Sequence, residues 1–208
     1  MEILPLFSTP VYLGSCDVTN GDVISAENTK FVNPCSGDLT YGNNGSISTN
    51  TTWLETVPEL KRNVEANLNE YVFGILGASR ESVYLEHQSS WVNLHQHGDR
   101  AATHVHVNSM FSGVVYLSVP DNSGEIIFSM PSMIPTYATN TVNLDIVDPN
   151  LYNMREFPVM PEKGMILIFP SHLPHYVTAS RSNINRYSVA FNYFVKGEVG
   201  SQESRLTL

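Results

Sequence analysis

The chain predicts a mainly β fold, a sandwich or jelly roll carrying one packed helix. Three observations carry this. From about residue 82 onward, short apolar-rich runs are separated by Pro, Gly, Asn or Asp turns, the signature of successive strands. Only residues 57–77 hold a sustained helical period. The run Met165-Ile166-Leu167-Ile168-Phe169 is apolar at every position, as a strand covered on both faces must be.

Taken in order, residues 1–50 are turn-rich, with Asn33-Pro34, Ser36-Gly37 and Tyr41-Gly42-Asn43-Asn44-Gly45 as breakers, and are expected to wrap the core. The helix follows. Leu60, Val64, Leu68, Val72 and Leu76 recur every four residues, Pro58 suits its first turn, and Gly74 and Gly77 weaken its end. Strands are expected over 82–95, 103–107, 109–119, 124–130, 141–146, 164–169, 175–178 and 186–195. Eight strands with one helix fit a jelly roll. The 208 residues are read as one domain, 1–81 forming the N-terminal wrap and helix and 82–208 the β core.

The totals exclude some partners. A net charge of −9 argues against nucleic acid or an anionic membrane surface. No run reaches the ~20 apolar residues needed to span a bilayer. The opening Met1-Glu2-Ile3-Leu4-Pro5-Leu6-Phe7 lacks a basic leader, so a cytoplasmic location is expected, in the host if the source is viral. Cys16 and Cys35 belong to no Cys-x-x-Cys pair and are expected as reduced thiols.

Side-chain parity locates candidate chemistry. His104 and His106 share one face of their expected strand, and Asn93 and His95 share a face of theirs. In the last strand Arg186, Ser188, Ala190 and Asn192 face one way, and Tyr187, Val189, Phe191, Tyr193 and Val195 the other. Two same-face histidines and a remote third, His175, form a facial set that leaves open positions on a metal. Iron(II) suits such a set, and zinc and copper also accept imidazole. An inward Arg186 needs an anion, and a carboxylate satisfies it bidentately, with the Ser188 hydroxyl two residues on. Taken singly, each feature has a plain explanation. His-x-His occurs by chance on a surface strand, five of the seven histidines lie between His87 and His106, and a polar row on an antiparallel strand faces solvent. Their order and spacing join them in one pocket. His87, His97 and His172 are read as structural or exposed.

His175, ten intervening residues and then Arg186-Tyr187-Ser188 resemble the distal half of the Fe(II)/2-oxoglutarate-dependent oxygenases. The resemblance runs through Leu6-Phe7-Ser8-Thr9-Pro10-Val11-Tyr12, the helix, Ser90-Trp91-Val92-Asn93, His104-Val105-His106 with Asn108-Ser109, Ser112 to Leu117, Gly164 to Pro170, and Arg186 to Asn192. Within the superfamily the chain is similar to a subgroup found in marine bacteria and their phages. The resemblance implies a double-stranded β-helix, a distorted jelly roll. It implies an enzyme using Fe(II) and the cosubstrate 2-oxoglutarate to hydroxylate a substrate, with release of succinate and CO2. By it His104, His106 and His175 bind the metal and are the catalytic set, and Arg186 and Ser188 hold the distal carboxylate. His95 stands where related enzymes often place a Tyr near the cosubstrate, so His95 and Asn93 line the pocket, with Tyr116 a further candidate.

One position departs from the superfamily pattern of His-x-Asp/Glu and a distant His: the carboxylate place holds His106. Asp99 or Glu125 could instead supply an oxygen ligand. Two other readings stay open. One is a cupin-like three-histidine metal enzyme that does not use 2-oxoglutarate. The other is a jelly roll with a structural or binding role. A small-molecule or peptide substrate is expected, of unspecified identity.

Overall fold

The computed structural model describes residues 8–33, 45–130 and 145–208. In chain order these form β1 (Tyr12–Ser15), α1 (Asn20–Glu27), β2 (Phe31–Val32), β3 (Ser46–Ser48), a 3-10 turn (Trp53–Thr56), α2 (Pro58–Asn69) and a π-helical turn (Glu70–Ile75). Then come β4 (Val83–His95), β5 (Ala101–His104), β6 (Phe111–Ser118), β7 (Ile126–Ser129), β8 (Glu156–Val159), β9 (Met165–Pro170), β10 (His175–Val177), β11 (Arg186–Val199) and β12 (Leu206–Thr207).

The strands build the two-sheet jelly roll that the sequence predicts. The larger sheet runs β1-β9-β6-β11-β4-β3-β2, with β12 paired to β11, and the smaller runs β5-β10-β7-β8. The long central strands of the larger sheet divide their side chains between two layers. β9 sends Ile166 and Ile168 toward α2, where Leu60, Val64, Leu68, Tyr71 and Val72 are buried, and Leu167 and Phe169 toward the smaller sheet. That explains its unbroken apolar run. β11 divides the same way: Tyr187, Val189, Phe191, Tyr193 and Val195 join the helix-side core. Gly113 in β6 has no room for a Cβ, which would strike the Phe191 ring and the Leu167 carbonyl.

Several elements differ from expectation. The first fifty residues supply β1, α1, β2 and β3, so strands from this stretch join the larger sheet at both edges. Four residues or fewer, beside Pro10 or Asn33, are too short to show a period. The breakers between 34 and 44 and the thiol of Cys35 lie outside the described residues, while Cys16 is a buried thiol pushed up to about 12 by its burial. The helix keeps its four-residue period through Val72, but Leu76 is 42 % exposed. The π-helical turn, closed by Leu76 N–H donating to the Tyr71 carbonyl, adds a residue and rotates Leu76 off the buried stripe. Gly77 then ends it at φ +71°.

The strand expected over 103–107 is Ala101–His104. Its partner β10 begins at His175, opposite His104, and Pro174 before it has no N–H, so the ladder stops there. Of the strand expected over 141–146, residues 141–144 lie outside the described residues, and Asp145 and Ile146 are not in a strand. The edge strand β8 was not expected, because Pro158 sits within it, a position an edge tolerates. No helix among the described residues is long and apolar enough to cross a membrane.

Candidate functional site

His104, His106 and His175 converge at the mouth between the two sheets. Their ligand atoms all lie within 4.8 Å of one another. His104 and His175 face each other as cross-strand partners on β5 and β10, with ring centroids 4.3 Å apart. The His106 ring lies 5.2 Å from His175 and 5.3 Å from His104. His106 itself sits beyond the end of β5, so strand parity is not what aims it. Its backbone N–H is held by the Ser171 carbonyl at 2.9 Å. Neither Asp99 nor Glu125 joins this cluster. The Asp99 carboxylate instead accepts from the Gln96 N–H at 2.8 Å, closing a turn.

All three rings spend the same nitrogen. His104 Nδ1 donates to the Ala102 carbonyl at 2.8 Å, His175 Nδ1 to the Leu173 carbonyl at 2.9 Å, and His106 Nδ1 to Asn192 Oδ1 at 2.6 Å. Those oxygens only accept, so each Nδ1 carries the proton and each Nε2 keeps a lone pair. Burial, joined by the charge His104 would carry, pushes His175 down to about 3, and burial lowers His106. The site therefore offers three imidazole Nε2 atoms, a donor set suited to a divalent transition metal.

The same cavity, about 420 Å³, reaches inward to Arg186. That guanidinium is 1 % exposed. Its Nη1 donates to the Ser123 and Gly124 carbonyls, both at 3.0 Å, and its Nη2 to His95 Nδ1 at 2.9 Å. Its Nε has no partner, and no carboxylate pairs with it among the described residues. Burial pulls the guanidinium below its ordinary range, yet it stays charged at neutral pH. Gly124 adopts φ +89° and lies so close to the Thr178 carbonyl that a Cβ would clash, which fixes one of the two carbonyls cradling the cation. Ser188, Ala190 and Asn192 follow Arg186 along the cavity face, and Asn93 and Tyr116 also line it. Opposite Arg186 and Ser188 on the neighbouring strand stand His95 and Asn93.

His95 is pushed down to about 3 by burial and by the Arg186 charge. It is neutral, accepts from Arg186 on Nδ1, and has a buried Nε2 with no partner among the described residues. In the unfolded chain it titrates near 6.5. Between pH 6.5 and 3 the unfolded state binds a proton that the folded state refuses, so stability is full above 6.5 and declines as pH falls through this window. By pH 5 His95 contributes a loss on the order of 1–2 kcal/mol. Urea unfolding at pH 7 and pH 5 checks this: His95→Asn should lose less stability than wild type between the two, and equal losses would contradict it.

The structure thus gathers His104, His106, His175, Arg186, Ser188, His95 and Asn93 around one cavity. His97 and His172 are exposed, and His87 Nδ1 lies 2.9 Å from Glu55 outside the cavity. Sequence reasoning gave no role to Asn192, to the Ser123 and Gly124 carbonyls, or to Trp91, whose ring lies 5.9 Å from that of His106. Parity had placed Asn192 on the Arg186 face, the one available signal; backbone carbonyls leave none.

A family model described as "Putative 2OG-Fe(II) oxygenase" matches residues 89–192. The fold is similar to solved structures of distant sequence. One is the non-heme alpha-ketoglutarate-dependent epimerase SnoN from nogalamycin biosynthesis, at 15% identity and TM-score 0.61 over 91% of this chain and 81% of that one. Another is a prolyl hydroxylase from Trichoplax adhaerens in complex with a hypoxia inducible factor peptide, at 12% identity and TM-score 0.60 over 91% and 85%. A third is a prolyl-4-hydroxylase from Pseudomonas putida, at 13% identity and TM-score 0.52 over 90% and 94%. These likenesses speak for the fold and not for a marine-bacterial or phage subgroup. No protein of curated function matches the chain.

Proposed function

We propose that this chain, which belongs to the 2OG-Fe(II) oxygenase family, uses 2-oxoglutarate and O2 to hydroxylate a C–H bond of its substrate. The observation that carries this reading is the buried Arg186, without a carboxylate partner among the described residues, in the same cavity as three converging imidazoles. His104, His106 and His175 hold the iron through Nε2. Arg186 takes the distal carboxylate of 2-oxoglutarate, with Ser188 on the same face and His95 Nε2, unpartnered among the described residues, beside it.

Charge supports the assignment. With three imidazole ligands and a cationic Arg186, the cavity has no carboxylate of its own among the described lining residues. A dianionic keto acid compensates both the metal and the guanidinium. When bound, iron and 2-oxoglutarate supply the oxidising power: O2 gives one oxygen atom to succinate and one to the product, as CO2 leaves. The protein's own part is to orient and to shield. Tyr116, Phe169, Val114 and Ile126 wall the cavity with buried side chains that keep bulk water from its inner end.

Two readouts test the reading. Redox-silent Mn(II) and 2-oxoglutarate together should raise the melting temperature more than either alone, because both bind only the native state. In air with Fe(II), the protein should form succinate from 2-oxoglutarate, and a chelator should stop it. Metal-loaded protein that binds 2-oxoglutarate but forms no succinate would overturn the oxygenase reading.

A further inference from the structure

We propose that Asn192 is the positioning residue for His106, its amide oxygen turning that imidazole so that Nε2 faces the metal. The proposal rests on the reading that the three imidazoles hold the iron. The other two rings are anchored locally, each Nδ1 donating to the carbonyl two residues earlier in the chain. His106 lies beyond its strand and has no such anchor. Its Nδ1 partner is a side chain from a remote strand, 86 residues away in sequence, at 2.6 Å.

The Asn192 amide is held at both ends. Its Nδ2 donates to Ser89 Oγ at 3.0 Å, and its Oδ1 also accepts from Ser112 Oγ at 2.7 Å. Ser89 and Ser112 are the cross-strand neighbours of Asn192 on β4 and β6, so the sheet register itself selects these partners. The β11 ladder with β4 shifts register between Asn192 and Tyr193. A bulge of this kind re-aims a side chain. Behind Ser112, Ser171 lies 2.8 Å away, and Ser171 reaches Ser109 at 2.9 Å. The same Ser171 holds the His106 backbone through its carbonyl. Ring and backbone of His106 are therefore fixed by one connected polar cluster.

The orientation of the amide decides the chemistry. With oxygen toward His106, Nδ1 carries the proton and Nε2 is a ligand. With the NH2 group there instead, Nδ1 would accept, Nε2 would carry the proton, and the ring could not bind a metal. The structure has the first arrangement, with Ser89 accepting from the amide nitrogen and Ser112 donating to the oxygen.

The test measures Co(II) affinity by anaerobic titration, together with the ligand-field absorption of bound Co(II). Asn192→Leu keeps the branching pattern of the side chain and removes the acceptor; Asn192→Asp keeps the acceptor. Wild type should bind one Co(II) per chain. Asn192→Leu should bind about 10–100-fold more weakly, the usual effect of losing such a partner, with an altered spectrum. Asn192→Asp should recover most of the affinity. If Asn192→Leu fails to fold, Ser112→Ala carries the test and should weaken binding in the same direction. Wild-type affinity and spectrum in every folded variant would overturn the role of Asn192 while leaving the metal site standing. Equal weakening in the Leu and Asp variants would reduce Asn192 to packing. Wild type that binds no Co(II), where His175→Ala behaves identically, would overturn the metal reading and this proposal with it.

Discussion

Replacing His175 with Ala should abolish succinate formation and lower metal affinity at least ~100-fold, beyond the 10–100-fold loss usual for an outer partner of a ligand. His175 is the most enclosed of the three imidazoles and the one whose place is most firmly set. It opens β10 opposite His104, its Nδ1 is tied to the Leu173 carbonyl, and its ring packs 4.7 Å from Phe169 and 6.1 Å from Phe128. Removing it leaves two ligands, one of them exposed. His175→Gln, closer in volume, separates loss of the ligand from loss of packing. Both variants should lose succinate formation while keeping the far-ultraviolet circular dichroism of wild type. Equal succinate yield from wild type and His175→Ala would sink the assignment.

Arg186→Leu should weaken 2-oxoglutarate binding by about 100-fold or more, leaving a carboxylate in the cavity with no cation, a loss of about 3 kcal/mol or more. Metal affinity should be unchanged, because Arg186 touches His95 and two carbonyls and none of the three converging imidazoles. Arg186→Lys should not rescue fully. A lysine keeps the charge but not the fork that reaches the Ser123 and Gly124 carbonyls while leaving Nε for a ligand. Calorimetric titration of 2-oxoglutarate into Mn(II)-loaded protein checks both variants. Unchanged affinity in Arg186→Leu would favour the three-histidine metal enzyme that does not use 2-oxoglutarate.

Where a strand is long and its pairing continuous, side-chain parity is visible in sequence. β11 is the clearest case: alternate residues from Arg186 line the cavity, and alternate residues from Tyr187 pack beneath α2. β4 behaves likewise with Asn93 and His95. His104 and His106 converge for a different reason than parity suggests. The strand ends between them, and the second ring is aimed by Asn192 across the sheet. A hydrogen bond spanning 86 positions has no local sequence signature. The Ser123 and Gly124 carbonyls are equally silent, since any residue supplies a carbonyl and only the positive φ of Gly124 hints at a special turn. Leu76 shows the opposite case, a legible period carried one turn too far, because a π-helical turn leaves the four-residue spacing intact in sequence while rotating the side chain.

The central claim is that the three imidazoles and Arg186 form one centre, where metal and keto acid meet. Anaerobic absorption spectroscopy tests it most directly, because a ferrous ion chelated by a 2-keto acid gains a visible charge-transfer band that neither component has alone. Wild type with Fe(II) and 2-oxoglutarate should show that band, His175→Ala should not, and Arg186→Leu should need far more 2-oxoglutarate to produce it. Protein that binds both Fe(II) and 2-oxoglutarate yet shows no band would place them at separate sites and contradict the account.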